Sequence, residues 1–191
     1  YISHFLGKTS DTAFKGVFDG AGHEIRNYKI KLNGAAANGL FSYVGGEALI
    51  KNLGVNGVYM LLDSDKWETA AGAIAGQISD NARVYGCYAK NIRMATNYTD
   101  GQFKYSGGLI GVADENAEID SCYAVKITFI GDINLDSGII GGTINPNVVI
   151  KNSYSDYTIS CYRNAEAYSN ITNSYYISAL PWPWECAYDK E

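Results

Sequence analysis

Charge is what this chain has least of. Only 18% of its residues are charged, below the roughly 25% typical of soluble domains, and no run of Lys or Arg occurs. The net charge of −5 argues against nucleic acid or an anionic membrane as partner, since both call for a basic patch. No stretch approaches the ~18 consecutive apolar residues of a transmembrane helix, so membrane insertion of this segment is not expected. Histidine is nearly absent, with two residues. The stretch HEIRN at 23 to 27 begins like the zinc-protease signature H-E-x-x-H, but Asn27 stands where the second ligand belongs and His4 is the other histidine. Metalloprotease chemistry is thereby set aside. No signal peptide shows at Tyr1, which opens inside sequence that already reads as structured, and this is no argument for the cytoplasm.

Proline is also scarce, at three residues, against 21 glycines and 16 tyrosines. That balance favours short strands and tight turns over long helices. The hydrophobic fraction of 47% excludes a disordered tail, and 191 residues suit one domain with its own core.

The chain repeats itself. RVYGCYAK at 83 to 90 is echoed by EIDSCYAV at 118 to 125, VIKNSYSD at 149 to 156 and NITNSYYI at 170 to 177. Aligned on an Ile/Val anchor, these give Val84, Ile119, Ile150 and Ile171, with earlier copies at Ile50 and Ile25. Two residues on come Asn27, Asn52, Gly86, Ser121, Asn152 and Asn173, all turn formers that tolerate left-handed backbone. Three residues on come Tyr28, Leu53, Cys87, Cys122, Ser153 and Ser174. A glycine-led block precedes each later anchor, at Gly39, Gly72, Gly108 and Gly138, by 11 or 12 residues. A third segment follows each anchor, and the length variation falls in the loop beyond it. Nothing supplies the 3.6-residue periodicity of helical repeats. The expected fold is all-β: a single-stranded parallel β-helix, or solenoid, of about five to six coils with three short strands each. Repeats are expected over 1–160, with a last partial coil and C-terminal cap over 161–191 in the same domain. Trp182 and Trp184, each after a proline, mark that cap.

The block FKGVFDGAGHEIRNY at 14 to 28, with the following GLF and IKNLGV, resembles the opening of GLUG-motif repeats. Such repeats occur in bacterial surface proteins, including many from gut Bacteroidetes and the non-catalytic N-terminal regions of immunoglobulin-A-cleaving metallopeptidases. The resemblance spans about residues 14 to 155 and departs from the pattern at YRNAEAYSN. It implies a right-handed parallel β-helix, export to the cell surface, outer membrane or extracellular space, and an adhesin-like role with no catalytic residue in the repeat. Further domains of a longer chain are expected with it.

Strand alternation places Cys87, Cys122, Leu53 and Ser153 inward and Tyr88, Tyr123, Tyr154 and Tyr175 outward. Equivalent residues one coil apart stack ~4.8 Å from each other. The two stacked cysteines are read as free core residues rather than a strained disulfide or a metal site, for which the neighbouring rungs lack ligands. A bridge between Cys161 and Cys186 stays open. On the outer face of the anchor strands, ion pairs Arg83–Glu118 and Asp120–Lys151 are expected across coils. The loop acids Asp63, Asp65, Asp132 and Asp136 follow no calcium-binding spacing. No metal and no cofactor is expected.

The stacked tyrosines form a strip suited to sugar rings or a partner protein, unless they stack on one another and cover the sheet. Trp67 and Tyr105, with Tyr98 and Phe103 nearby, sit in the variable loops where recognition usually resides. The expected function is a non-catalytic cell-surface binding or adhesion module for a host or bacterial glycan or surface protein. Two alternatives remain: a carbohydrate-active enzyme (polysaccharide lyase or glycosidase) or its accessory domain, and a structural spacer of a larger surface protein.

Overall fold

A computed structural model describes residues 6–32, 37–62, 70–96, 105–130, 137–140, 147–156 and 170–176. Trp67, Tyr98, Phe103, Cys161, Trp182, Trp184, Cys186 and the acids Asp63, Asp65, Asp132 and Asp136 lie outside these residues. Among the described residues the fold is all-β, without an α-helix, and every strand pairing is parallel.

Strands are numbered along the chain, and successive repeats contribute segments to three sheets. The anchor sheet stacks β1 (Val17–Asp19), β6 (Leu49–Lys51), β10 (Arg83–Tyr85), β13 (Glu118–Asp120), β16 (Val149–Lys151) and β18 (Ile171–Thr172) in that order. The tyrosine sheet runs from β2 (Glu24–Arg26) and β3 (Lys29–Leu32) through β7 (Gly54–Leu62), β11 (Tyr88–Thr96), β14 (Tyr123–Ile130) and β17 (Tyr154–Ser155) to β19 (Tyr175–Tyr176). The glycine sheet holds β4 (Ala37–Asn38), β5 (Phe41–Val44), β8 (Ala70–Gly72), β9 (Ala75–Ile78), β12 (Tyr105–Ala113) and β15 (Ser137–Ile140).

The anchors form one buried column, Ile50, Val84, Ile119, Ile150 and Ile171, paired rung to rung. Truncating one such isoleucine typically costs ~2–5 kcal/mol, because a close-packed stack cannot collapse around the void. The first rung differs from the sequence expectation. Phe18 pairs with Ile50, whereas Ile25 pairs with Val55 in the tyrosine sheet. The first repeat carries Gly20, Ala21, Gly22 and His23 where the next has Asn52 and Leu53, so EIRN lands one sheet later than its pattern suggests. Tyr28 moves with it: it precedes Lys29, which pairs with Tyr59, and does not stand below Leu53. A second correction concerns the glycines, since Gly107, not Gly108, pairs with Gly72 and Gly138. A Cβ on Gly108 would lie 2.6 Å from Ile127 Cδ1 in the core.

The bend between the anchor and tyrosine sheets is made by left-handed residues at one position: Asn52 (φ 53°), Gly86 (60°), Ser121 (55°), Asn152 (51°) and Asn173 (47°). Asparagine and glycine tolerate this conformation best. The carboxamides also link repeats, with Asn152 Nδ2 donating to Asp120 Oδ1 at 2.9 Å and Asn173 Nδ2 to Asn152 Oδ1 at 2.7 Å.

Cys87 and Cys122, both buried and unbridged, share a column with Ser153 and Ser174. The left-handed residue before each takes the backbone out of the regular ladder, and side chains supply the missing acceptors. Cys122 Sγ accepts the Cys87 N–H (3.5 Å), Ser153 Oγ the Cys122 N–H (3.3 Å) and Ser174 Oγ the Ser153 N–H (3.2 Å). Each of these side chains also donates to the carbonyl two residues back, at 2.8 Å for Ser153. Serine and cysteine therefore both serve at this position, because each offers a small acceptor. Burial pushes the Cys122 thiol well above its ordinary pKa, which keeps it protonated.

Candidate functional site

The four tyrosines named from the sequence are brought into one column. Tyr88 pairs with Tyr123, Tyr123 with Tyr154, and Tyr154 with Tyr175. The column continues below Tyr88 through Gly54 to Glu24. Exposure rises toward the C-terminal end: Tyr88 and Tyr123 are half-buried, while Tyr154 is 36% and Tyr175 58% exposed. Tyr105 is elsewhere, half-buried on the glycine sheet against Ala37, Ala70 and Val112. Trp67 falls outside the described residues.

The lower half of the column is a structural assembly. Tyr123 stacks face to face on Tyr88, with centroids 4.9 Å apart and planes at 4°. Gly54 lacks the side chain that would block the ring of Tyr88, since a Cβ there would lie 2.2 Å from Cζ. Tyr88 therefore reaches over an entire repeat and donates its hydroxyl to Glu24 Oε2 at 2.7 Å. The same carboxylate receives Lys90 Nζ at 2.8 Å, Arg26 Nε at 2.5 Å and Asn56 Nδ2 at 3.2 Å. With its side chain 9% exposed, Glu24 stays charged because donors surround it. The hydrogen bonds from Lys90 and then Tyr88 hold its carboxyl down at about 2. Ionising Tyr88 would set a phenolate against that carboxylate, so its hydroxyl is pushed up to about 12. This network was not expected, because the misplaced register at Ile25 took Glu24 out of the column. The only trace in the sequence is the extra glycine-rich pair in the first repeat.

Sheet by sheet, the outer faces differ in charge. On the anchor sheet, Lys51 pairs with Asp19 at 3.2 Å, and Lys151 with Glu118 at 2.6 Å and Asp120 at 3.6 Å. Asp120–Lys151 matches the expected pair. Arg83 stands beside Glu118 in register, but the Glu118 carboxylate goes to Lys151, which holds two acids at once. On the tyrosine sheet the outer face carries Arg26, Lys29, Lys31, Lys90, Arg93 and Lys126, and Glu24 is the one acid in its strands.

Catalytic use of carboxylates requires them to converge on an open site. Asp19, Glu24, Glu118 and Asp120 are each held by a lysine. At the turns entering the anchor sheet, Glu115 has its carboxyl raised by a hydrogen bond to Asp80 and by the nearby charge of Asp80 and Asp114. Glu115 and Asp80 are both exposed on turns. No group of three or more potential metal ligands occurs among the described residues.

No protein-family model matches the chain, and no curated protein or solved structure matches it either.

Proposed function

We propose that the three stacked parallel sheets form a right-handed single-stranded β-helix, and that this helix serves as a non-catalytic binding module at the surface of an exported bacterial protein. The resemblance of residues 14 to 155 to GLUG-motif repeats supports export and the adhesin-like role. The observation that carries the binding role is the tyrosine column. Tyr154 and Tyr175 present exposed rings at the end of a column whose lower members, Tyr88 and Tyr123, are locked by stacking and by Glu24. A preorganised aromatic surface loses little entropy on binding, and the ring faces with hydroxyl edges suit sugars. The ligand class is a host or bacterial glycan, with a surface protein as the second candidate.

The test is a glycan array and a mucin-binding assay with the intact chain and with Tyr154→Ala/Tyr175→Ala. These two residues are exposed and outside the Glu24 network, so the variant keeps its fold by circular dichroism. Binding that is lost in the variant supports the reading. Binding that survives unchanged removes the column as the site, and a chain that binds no glycan and no mucin removes the glycan role.

A further inference from the structure

Beyond the tyrosine column, the same sheet carries a groove of about 380 Å³ lined by Gly57, Tyr59, Asn91, Arg93, Lys126 and Thr128. It arises from the second bend of the repeat, where Gly57 (φ 74°), Asn91 (56°) and Lys126 (57°) are left-handed in successive repeats. Two residues further on, Tyr59, Arg93 and Thr128 pair side by side and point outward, because Val58, Ile92 and Met94 fill the core. The groove thus combines residues from three repeats, one cation from each of two.

Its two cations are not ion-paired: among the described residues neither Arg93 nor Lys126 has a carboxylate partner in an ion pair. Of the acids on this face, Glu24 is held by Arg26 and Lys90, while Asp156 keeps its charge and accepts the backbone N–H of Lys126 at 2.6 Å. Lys29 adds a further positive charge 6.0 Å from the centre of the Tyr59 ring. In a chain of net charge −5, this concentration of cations on one face is a local reversal of sign.

We propose that this groove binds the acidic group of an anionic polysaccharide, a uronate carboxylate or a sugar sulfate. The Arg93 guanidinium offers the paired donors that a planar carboxylate or a sulfate accepts, and Lys126 supplies a second charge. Asn91 spends its Nδ2 on Asn56 Oδ1 (2.7 Å), which leaves its Oδ1 to accept from a sugar hydroxyl. Tyr59 supplies a ring for the sugar face. A groove of this volume takes one or two sugar units, and the acidic balance of the whole chain disfavours the long polyanionic track of a nucleic acid. The proposal rests on the glycan-binding reading and narrows it to acidic glycans.

The experiment measures binding of the full chain to a polyuronate, a sulfated polysaccharide, a neutral polysaccharide and single-stranded DNA, by calorimetry at two salt concentrations. Arg93→Gln/Lys126→Gln is the variant; both side chains are exposed, so the fold is retained and checked by circular dichroism. The expected result is binding to an acidic polysaccharide that weakens with salt and falls by at least about tenfold in the variant. Binding of neutral and acidic polysaccharides alike, unaltered in the variant, overturns this proposal and leaves the glycan-binding role standing. Binding to DNA as tight as to the acidic polysaccharide overturns it in favour of nonspecific polyanion capture. No binding to any polysaccharide overturns both.

Discussion

Ser153 provides the sharpest test of the column that joins the repeats. Its Oγ is the acceptor for the Cys122 N–H at 3.3 Å, and both residues are 1% exposed. Ser153→Ala leaves that N–H buried without its acceptor, which costs ~1–3 kcal/mol. The carbonyl of Lys151 loses a hydroxyl donor but keeps the Ser121 N–H at 3.1 Å, so it adds little. Ser153→Cys retains an acceptor of the kind that Cys122 itself offers to Cys87, and is expected to cost less than about 1 kcal/mol. For a domain of this size the alanine variant should lower Tm by roughly 2–12 °C. Thermal denaturation measures the difference, and amide hydrogen exchange localises it, with the Cys122 amide exchanging faster in the alanine variant only. Equal stability of the alanine variant and the parent would refute the acceptor role. So would a cysteine variant as damaged as the alanine one, since the column would then depend on serine itself.

Two further perturbations address the Glu24 assembly. Gly54→Ala places a methyl where the Tyr88 ring lies, so the ring must swing off Glu24; a loss of ~1–3 kcal/mol in urea unfolding is expected, and an unchanged midpoint would show that the ring does not need the gap. The folded-state pKa of Glu24, about 2, is depressed from its ordinary value of 4.5. Its contribution to stability is therefore complete above pH 4.5 and disappears as the pH falls toward 2. Unfolding of the parent and Glu24→Gln across that range should show a gap that closes with acid, whereas a constant gap would separate the effect from ionisation.

The architecture was legible in the sequence to the extent that the repeat carries it. The Ile50, Val84, Ile119, Ile150 and Ile171 column could be read directly, because each anchor sits at a fixed distance from a left-handed turn residue. The first repeat defeated that reading. EIRN at 24 to 27 has an isoleucine followed two residues later by a left-handed asparagine (φ 55°), which is the anchor pattern occurring at the second bend of the repeat. Phe18, the true anchor, is aromatic, and although Gly20 stands two residues on, the left-handed residues after it are Ala21 and Gly22. Gly107 and Gly108 are adjacent, and only the pairing with Gly72 separates them. The tyrosine column was legible because it lies inside the best-conserved octamer of the chain's own repeats. The basic groove was not. Its cations come from residues 93 and 126, in separate repeats, so no Lys/Arg cluster exists along the chain and only the stacking gathers them.

Stacking in register is the premise of every surface described above, and deletion of one repeat tests it most directly. Ala71 pairs with Gly111-containing β12 through Ser106, so removing residues 72–106 joins Ala71 to Gly107 in register. Removing residues 72–89 instead excises part of a repeat and fuses the glycine sheet to the tyrosine sheet out of phase. Circular dichroism and urea unfolding of the two shortened chains decide the matter. A modular stack predicts that the first keeps the β-sheet spectrum per residue and unfolds cooperatively, while the second does not fold. Equal collapse of both chains, or equal folding of both, would contradict it.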